Sequence, residues 1–282
     1  MHKKIVALIL GVVLISGVSG CSFLIRKREK EPSLAPEKIW TTKIELASGV
    51  LDVGKTYVYK VHWLGLTVGD ASLQVKEKID SEQGPLYHVV LTAATNKFFS
   101  FFYNVKGTVE SFVRVEDFRP MKYETQTHIN KKFVFKKMEY DYENMVVRAE
   151  DKKGKYELKI KDKILDPLGI FYYFIANPVL INKPINIFLN AGKKNYDITV
   201  FVNQGQRLRV PAGVFWAFQV EPTVRSERQF DDALNSPGSM RIWFSSDEKR
   251  IPLIVSLKIP LGTAQAILNK IKMAESELTS ND

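Results

Sequence analysis

The sequence predicts a mainly β protein: a single antiparallel β domain of about 10–13 strands, built as a curved meander, an incomplete barrel or a sandwich, with one short helix near residues 167–176. Three observations predict this class. Apolar and polar residues alternate over many short runs, turn residues separate these runs at short intervals, and no period of 20–50 residues repeats. The length of 282 residues allows one or two domains.

Strands are predicted where every second side chain is apolar, as in residues 57–63, 105–115 and 251–259. In residues 133–142 the apolar phase shifts from odd to even positions, which predicts a β-bulge near Lys136-Lys137. Six- to ten-residue strands joined by tight turns form hairpins, so an antiparallel meander is expected.

The predicted helix is bounded by turn and cap residues. Asp166 suits an N-cap, Pro167 suits the first helical position, and Pro178 prevents continuation beyond Ala176. A catalytic role for the Asp166 carboxylate stays open beside this capping role.

A lipoprotein signal peptide is predicted at residues 1–20. Two lysines precede an almost wholly apolar run, Ile5 to Val18, which is shorter than the about 20 residues that span a bilayer. The following Val18-Ser19-Gly20-Cys21 resembles the lipobox of bacterial lipoproteins. The resemblance implies cleavage before Cys21, acyl chains such as palmitate on that residue and, because Ser22 follows, delivery to the outer membrane. An ordinary secretory leader with a chance cysteine is the alternative.

The remaining chain divides by composition. Residues 21–45 are expected to form the acylated anchor and a flexible tether, residues 46–270 the β-rich domain, and residues 271–282 a disordered tail. A single cysteine excludes a disulfide framework and multi-cysteine metal sites.

Four separated segments, taken in order, resemble the DUF3108 family of exported bacterial proteins. They are YKVHWLGLTVGDA at 59–71, ILDPLGIFYYF at 164–174, VPAGVF at 210–215 and IWFSSDEKRIP at 242–252. The resemblance implies a mostly antiparallel β body in the bacterial envelope. It implies no catalytic residues.

The sequence predicts no catalytic site, metal site or cofactor, and therefore a protein that is not an enzyme. It lacks the common catalytic and nucleotide-binding motifs, and His62, His88 and His128 lie on separate strand-like segments without a close partner. Glu139, Asp141 and Glu143 alternate on one strand, which favours a solvated face over a calcium site.

Two aromatic clusters are the candidate ligand contacts. They comprise Phe98, Phe99, Phe101, Phe102 and Tyr103, and then Phe171, Tyr172, Tyr173 and Phe174. Two interpretations stay open: the rings all pack the core, or some line a mouth that accepts an acyl chain or another apolar ligand.

The formal charge of +10 suggests contact with an anionic surface. Lysine pairs at 131–132, 136–137, 152–153 and 193–194 are suited to lipid A, phospholipid headgroups or peptidoglycan stems. Nucleic acid is not expected as a partner, because an exported lipoprotein seldom meets it and no recognition module is visible.

Three hypotheses about function follow. The first is a non-enzymatic envelope lipoprotein that binds a hydrophobic or lipidic ligand or a membrane-associated partner. The second is a scaffold module that docks on an envelope complex through a sheet edge. The third is a hydrolase of envelope polymers, which requires paired carboxylates or an activated hydroxyl in a cleft.

The anchor is directly testable. Mass spectrometry of the mature chain from the envelope fraction should find acyl chains on Cys21, and Cys21→Ser should abolish them. An unmodified Cys21, or recovery of the chain from the cytosol, would contradict the predicted anchor.

Overall fold

The computed structural model describes residues 51–177, 179–224, 240–259 and 262–273. The predicted segments 1–20 and 21–45, including Cys21, lie outside the described residues, as does most of 271–282. Within the described ranges the mainly β class is confirmed. The strands are β1 (Thr56–Trp63), β2 (Leu66–Ile79), β3 (Leu86–Thr95), β4 (Val105–Arg114), β5 (Pro120–Ile129), β6 (Lys132–Asp141), β7 (Val146–Asp151), β8 (Gly154–Lys159), β9 (Ile164–Leu165), β10 (Ile185–Asn190), β11 (Asn195–Val210), β12 (Gly213–Val224), β13 (Met240–Ser245), β14 (Pro252–Ile259) and β15 (Gly262–Lys272), and the helices are α1 (Lys97–Phe102) and α2 (Gly169–Ala176).

All 15 described strands belong to one sheet. Consecutive strands pair with each other from β1 through β8 and again from β9 through β15, and β15 pairs with β1. The pairs are antiparallel except for β9 with β10, which is parallel. The two edge strands are therefore β8 and β9, which are consecutive in the chain.

The short connection between these edges makes the sheet curl. Residues 160–163 are all that separates β8 from β9, and such a segment spans at most about 17 Å. A flat sheet of this many strands would measure about 65 Å from edge to edge, at about 4.8 Å per strand. The sheet therefore bends round until its edges lie close together at a seam.

Side chains join the two halves of the sheet across this seam. The Lys136 ammonium on β6 donates a 2.6 Å hydrogen bond to the Ala191 carbonyl in the β10–β11 turn. The Asn195 amide on β11 donates a 2.6 Å hydrogen bond to the Lys159 carbonyl on β8. Among the described strands no ladder pairs β8 with β9, so the seam is held by side chains and the sheet is not closed.

Helix α2 lies in the interior of the curved sheet. It buries Ile170, Phe171, Tyr172 and Phe174. The Phe174 ring lies 5.7 Å from that of Phe244 on β13. At its other end the helix contacts β4 through Asp166, so it links opposite walls of the sheet.

The helix begins two residues later than predicted. The Gly169 amide donates to both the carbonyl and the carboxylate of Asp166, so Asp166 and Pro167 form a turn before the helix rather than its first turn. Gly169 lies close to β9, since a Cβ there would sit 2.6 Å from the Leu165 Cβ. Leu168 and not Asp166 is therefore the N-cap residue, although the Asp166 carboxylate does accept the first helical amide.

The strand count and one helix differ from the prediction. The described strands exceed the predicted 10–13 because short elements, such as the two-residue β9, carry too little periodicity to be recognised. Helix α1 was not predicted. Strand β15 extends to Lys272, two residues into the predicted tail.

The predicted bulge near Lys136-Lys137 is wrong. Strand β6 pairs with β5 and β7 without a shift in register. Lys136, Met138 and Tyr140 all face the interior, so the inward face continues through a buried lysine. Phe133 points outward and is exposed. The apparent phase change arose because an inward position carries a charge.

Substitutions at two glycines distinguish destabilisation by close packing from destabilisation by backbone strain. A Cβ at Gly69 would lie 2.3 Å from the Ala94 carbonyl oxygen on β3, whereas one at Gly65 would contact nothing within 4 Å but would occupy a φ of 79°. We expect Gly69→Ala to lower the free energy of unfolding by about 1–3 kcal/mol through overpacking, and Gly65→Ala by about 1 kcal/mol. Urea denaturation of both variants measures this, and an equal or smaller loss at Gly69 would contradict the close approach.

Candidate functional site

Helix α1 presents aromatic rings to solvent. Phe98, Phe101 and Phe102 are 68%, 87% and 68% exposed, and no residue of this helix is buried. The rings contact one another: the centroids of Phe98 and Phe102 are 5.7 Å apart and those of Phe101 and Phe102 are 5.3 Å apart. The helix therefore forms a surface cluster of contiguous aromatic area.

Asn96 positions this helix. Its side-chain oxygen accepts a 2.9 Å hydrogen bond from the Phe99 amide, which caps the helix N-terminus. Its side-chain nitrogen donates a 2.7 Å hydrogen bond to the Thr67 carbonyl in β2. The β1–β2 turn beside it carries the exposed side chains of Leu64 and Leu66. We call Leu64, Leu66, Phe98, Phe101 and Phe102 the apolar rim.

The second predicted cluster lies elsewhere. Phe171, Tyr172 and Phe174 are buried in the interior, and Tyr173 is partly buried. The ring contacts of α2 run to Phe118 and Phe244, and no ring contact among the described residues joins α2 to α1. Tyr103, which follows α1, is also buried, and Phe99 is partly exposed. The structure does not bring the two clusters together.

A buried polar network fixes the start of α2. The Asp166 carboxylate is fully buried and accepts hydrogen bonds from the Ser111 hydroxyl, the Tyr172 hydroxyl at 2.7 Å and the Gly169 amide at 2.8 Å. Burial raises the pKa of Asp166 to about 6, against these hydrogen bonds, which favour the charged form. Burial, followed by the Asp166 charge, raises the pKa of Tyr123 well above its ordinary value.

Arg250 holds the other end of α2. Its guanidinium is buried, donates 3.3 Å hydrogen bonds to the Phe174 and Asn177 carbonyls, and lies 5.4 Å from the Phe218 ring centroid. A cation at a helix C-terminus is favoured by the helix dipole. Burial lowers the pKa of Arg250 to about 10. Within the described residues, its Nε and one terminal nitrogen have no hydrogen-bond partner. Arg250 was not predicted as a buried or functional residue, because a lone arginine in a turn gives no signal of burial in the sequence.

The three histidines among the described residues lie apart on the sheet. His88 is buried between Glu77 and Glu110, with ring nitrogens 3.2 and 3.0 Å from their carboxylates. His62 contacts Thr67, and the His128 ring lies 4.9 Å from that of Phe133. The described part of the chain contains no group of three acidic, histidine or cysteine side chains arranged to hold a metal ion. In the same residues no helix has the length and hydropathy needed to cross a bilayer.

These features define a class of fold: an open antiparallel meander curled around a short helix that opposite walls hold by its ends. The family model described as protein of unknown function DUF3108 matches residues 58–269, and the chain belongs to this family. Comparison with curated proteins gave no match.

The chain is similar to several solved structures at low sequence identity. A β-barrel-like protein of the DUF1849 family from Brucella abortus is 13% identical with a TM-score of 0.51, over 78% of this chain and 98% of that one. A protein proposed to be a lipoprotein, from Parabacteroides distasonis, is 12% identical with a TM-score of 0.35, over 79% and 96%. A protein proposed to be exported, with a YmcC-like fold, from Bacteroides fragilis, is 9% identical with a TM-score of 0.35, over 80% and 98%. The first of these likenesses concerns the fold alone.

The raised pKa of Asp166 makes stability depend on pH. Because the folded chain binds this proton more tightly than the unfolded chain, the contribution of Asp166 to stability is greatest below about pH 4 and is lost as pH rises through about 6. Asp166→Asn keeps the shape of the side chain without the titration. We expect the free energy of unfolding of wild type, relative to this variant, to fall by a few kcal/mol over that interval. Parallel pH curves for the two proteins in urea titrations would contradict the assignment.

Proposed function

We propose that the protein is a non-enzymatic lipoprotein of the cell envelope that binds a lipidic ligand through the apolar rim. In this proposal the lipid on Cys21 anchors it in the outer membrane, with the β body facing the periplasm. The observation that carries the proposal is the exposure of Phe98, Phe101 and Phe102 on one short helix. Binding would remove these rings from water.

The energetics favour a ligand for this surface. Covering a phenylalanine side chain contributes about 1.5–3 kcal/mol, and the exposed rings of Phe98 and Phe101 both contact the ring of Phe102. Single exposed apolar residues are ordinary on protein surfaces, but a contiguous cluster is typical of an interaction site. The adjoining Leu64 and Leu66 extend the same apolar area. An acyl chain or a hydrophobic headgroup region matches this chemistry.

The buried network supports a non-enzymatic role. Asp166 is the sole fully buried carboxylate among the described residues, and it accepts three hydrogen bonds. Its partner Ser111 is also fully buried, so its hydroxyl, which donates to this carboxylate, is not accessible to a substrate in solution. A hydrolase requires a nucleophile that substrate can reach. We therefore assign Asp166 to positioning α2.

One observation favours the scaffold alternative. Strand β8 is an edge strand, so one side of its backbone forms no ladder with a strand of the described sheet. Its Lys155 and Lys159 are exposed, and charged side chains of this kind discourage pairing with another strand. Crosslinking in cells would recover one dominant protein partner through β8 under this alternative.

Lipid mass spectrometry tests the proposed function. The chain from residue 22 onward, purified without detergent, should retain lipid, and the double variant Phe101→Ser, Phe102→Ser should retain several-fold less. Phe201→Ser on β11 is the matched control, because it also removes an exposed ring but lies outside the apolar rim. A wild-type chain free of lipid, or equal loss in the control, would contradict the proposal.

A further inference from the structure

The two ends of the curled sheet differ in charge. In an antiparallel meander, alternate connections lie at the same end. The α1 end comprises the described connections 64–65, 96–104, 130–131, 152–153 and 191–194, and the opposite end comprises 80–85, 115–119, 142–145, 160–163, 211–212 and 246–251.

Lysine is concentrated at the α1 end. Its described connections carry no acidic residue and six lysines: Lys97, Lys131, Lys152, Lys153, Lys193 and Lys194. All six are exposed. The opposite end carries eight acidic residues against five basic ones. The charge of the described connections is therefore sorted by end, with the positive charge beside the apolar rim.

Direct contacts link these connections into one surface. The α1 segment meets the β5–β6 turn where the Asn130 amide donates a 2.7 Å hydrogen bond to the Asn104 carbonyl. The Lys152 ammonium lies 5.9 Å from the ring centroid of Phe133, which follows that turn. The Lys193 ammonium lies 2.9 Å from the Asp151 carboxylate, joining the β7–β8 and β10–β11 turns across the seam. The lysines of the α1 end and the apolar rim therefore belong to one surface.

We propose that the α1 end is a docking face for a bilayer rich in anionic phospholipid, with phosphatidylglycerol as the headgroup recognised. The rings of Phe98, Phe101 and Phe102 enter the boundary between headgroups and acyl chains, and the lysines contact phosphate. This inference rests on the apolar rim of the proposed function, but it names the occupant as a membrane surface rather than a single lipid molecule. Apolar insertion combined with basic charge is the usual basis of reversible binding to membrane surfaces.

The length of chain before β1 permits this orientation. Strand β1 starts at the opposite end and reaches the α1 end at Trp63, about 26 Å away at about 3.3 Å per residue. The segment from Cys21 to Lys55 has a contour length of about 110 Å. An anchor at Cys21 therefore allows the α1 end to face the bilayer that holds it, and anchoring raises the local concentration of that bilayer.

Vesicle flotation tests the docking face. The chain from residue 22 onward is suitable, because all described strands lie between Thr56 and Lys272. We expect it to float with vesicles of phosphatidylcholine and phosphatidylglycerol, and to float weakly with phosphatidylcholine alone. Added salt should weaken the binding. The triple variant Lys131→Gln, Lys132→Gln, Lys153→Gln should lower the partition coefficient by about tenfold or more.

A matched variant distinguishes a docking face from overall charge. Lys76→Gln, Lys163→Gln, Lys249→Gln makes the same change of charge on or near the opposite end, and it should lower partitioning by less than about twofold. Phe101→Ser should weaken binding to the anionic vesicles several-fold. Equal losses in the two lysine variants, or no flotation of wild type, would overturn the docking face.

The outcomes also separate this inference from the proposed function. If the chain carries no copurified lipid but floats in a charge-dependent way, the result supports the docking face and contradicts the binding of a single lipid molecule. Copurified lipid with no flotation, or with flotation that the substitution of lysines at the α1 end leaves unchanged, supports the proposed function and overturns the docking face.

Discussion

The four residues between β8 and β9 impose the shape on which the rest of the structure depends. Because residues 160–163 cannot span a flat sheet of 15 strands, the two edges must approach each other, and the sheet must enclose a volume. The enclosed volume must be filled by side chains. Helix α2, which follows β9 in the chain, fills it with buried rings that pack against the sheet.

Enclosing a helix creates two polar ends that water cannot solvate, and the structure satisfies each with a charged side chain. Asp166 accepts the first helical amide and is itself held by Ser111 and Tyr172. Arg250 donates to carbonyls at the helix C-terminus. Both charges match the helix dipole, negative at its N-terminus and positive at its C-terminus. This pairing explains why Asp166 and Arg250, both ionisable, are buried at the two ends of α2.

How much the sequence predicts depends on whether a feature is local. The period-2 alternation identified strands such as β1 and β4, and Asp166 was recognised as an acceptor at the helix N-terminus because such capping needs only neighbouring residues. The environment of the aromatic clusters could not be predicted, since α1 and α2 are similar in composition but one is exposed and the other enclosed. Lys136 shows the same limit: its inward position depends on a carbonyl 55 residues away, and the alternation rule mistook it for a bulge.

The pairing of β1 with β15 has a consequence for biogenesis. The first strand of the sheet finds one of its neighbours only in the last strand, more than 190 residues later in the chain. Contacts of such long sequence separation form late and slowly. On a nascent polypeptide emerging from a ribosome, β1 therefore lacks this neighbour until β15 has been synthesised and released.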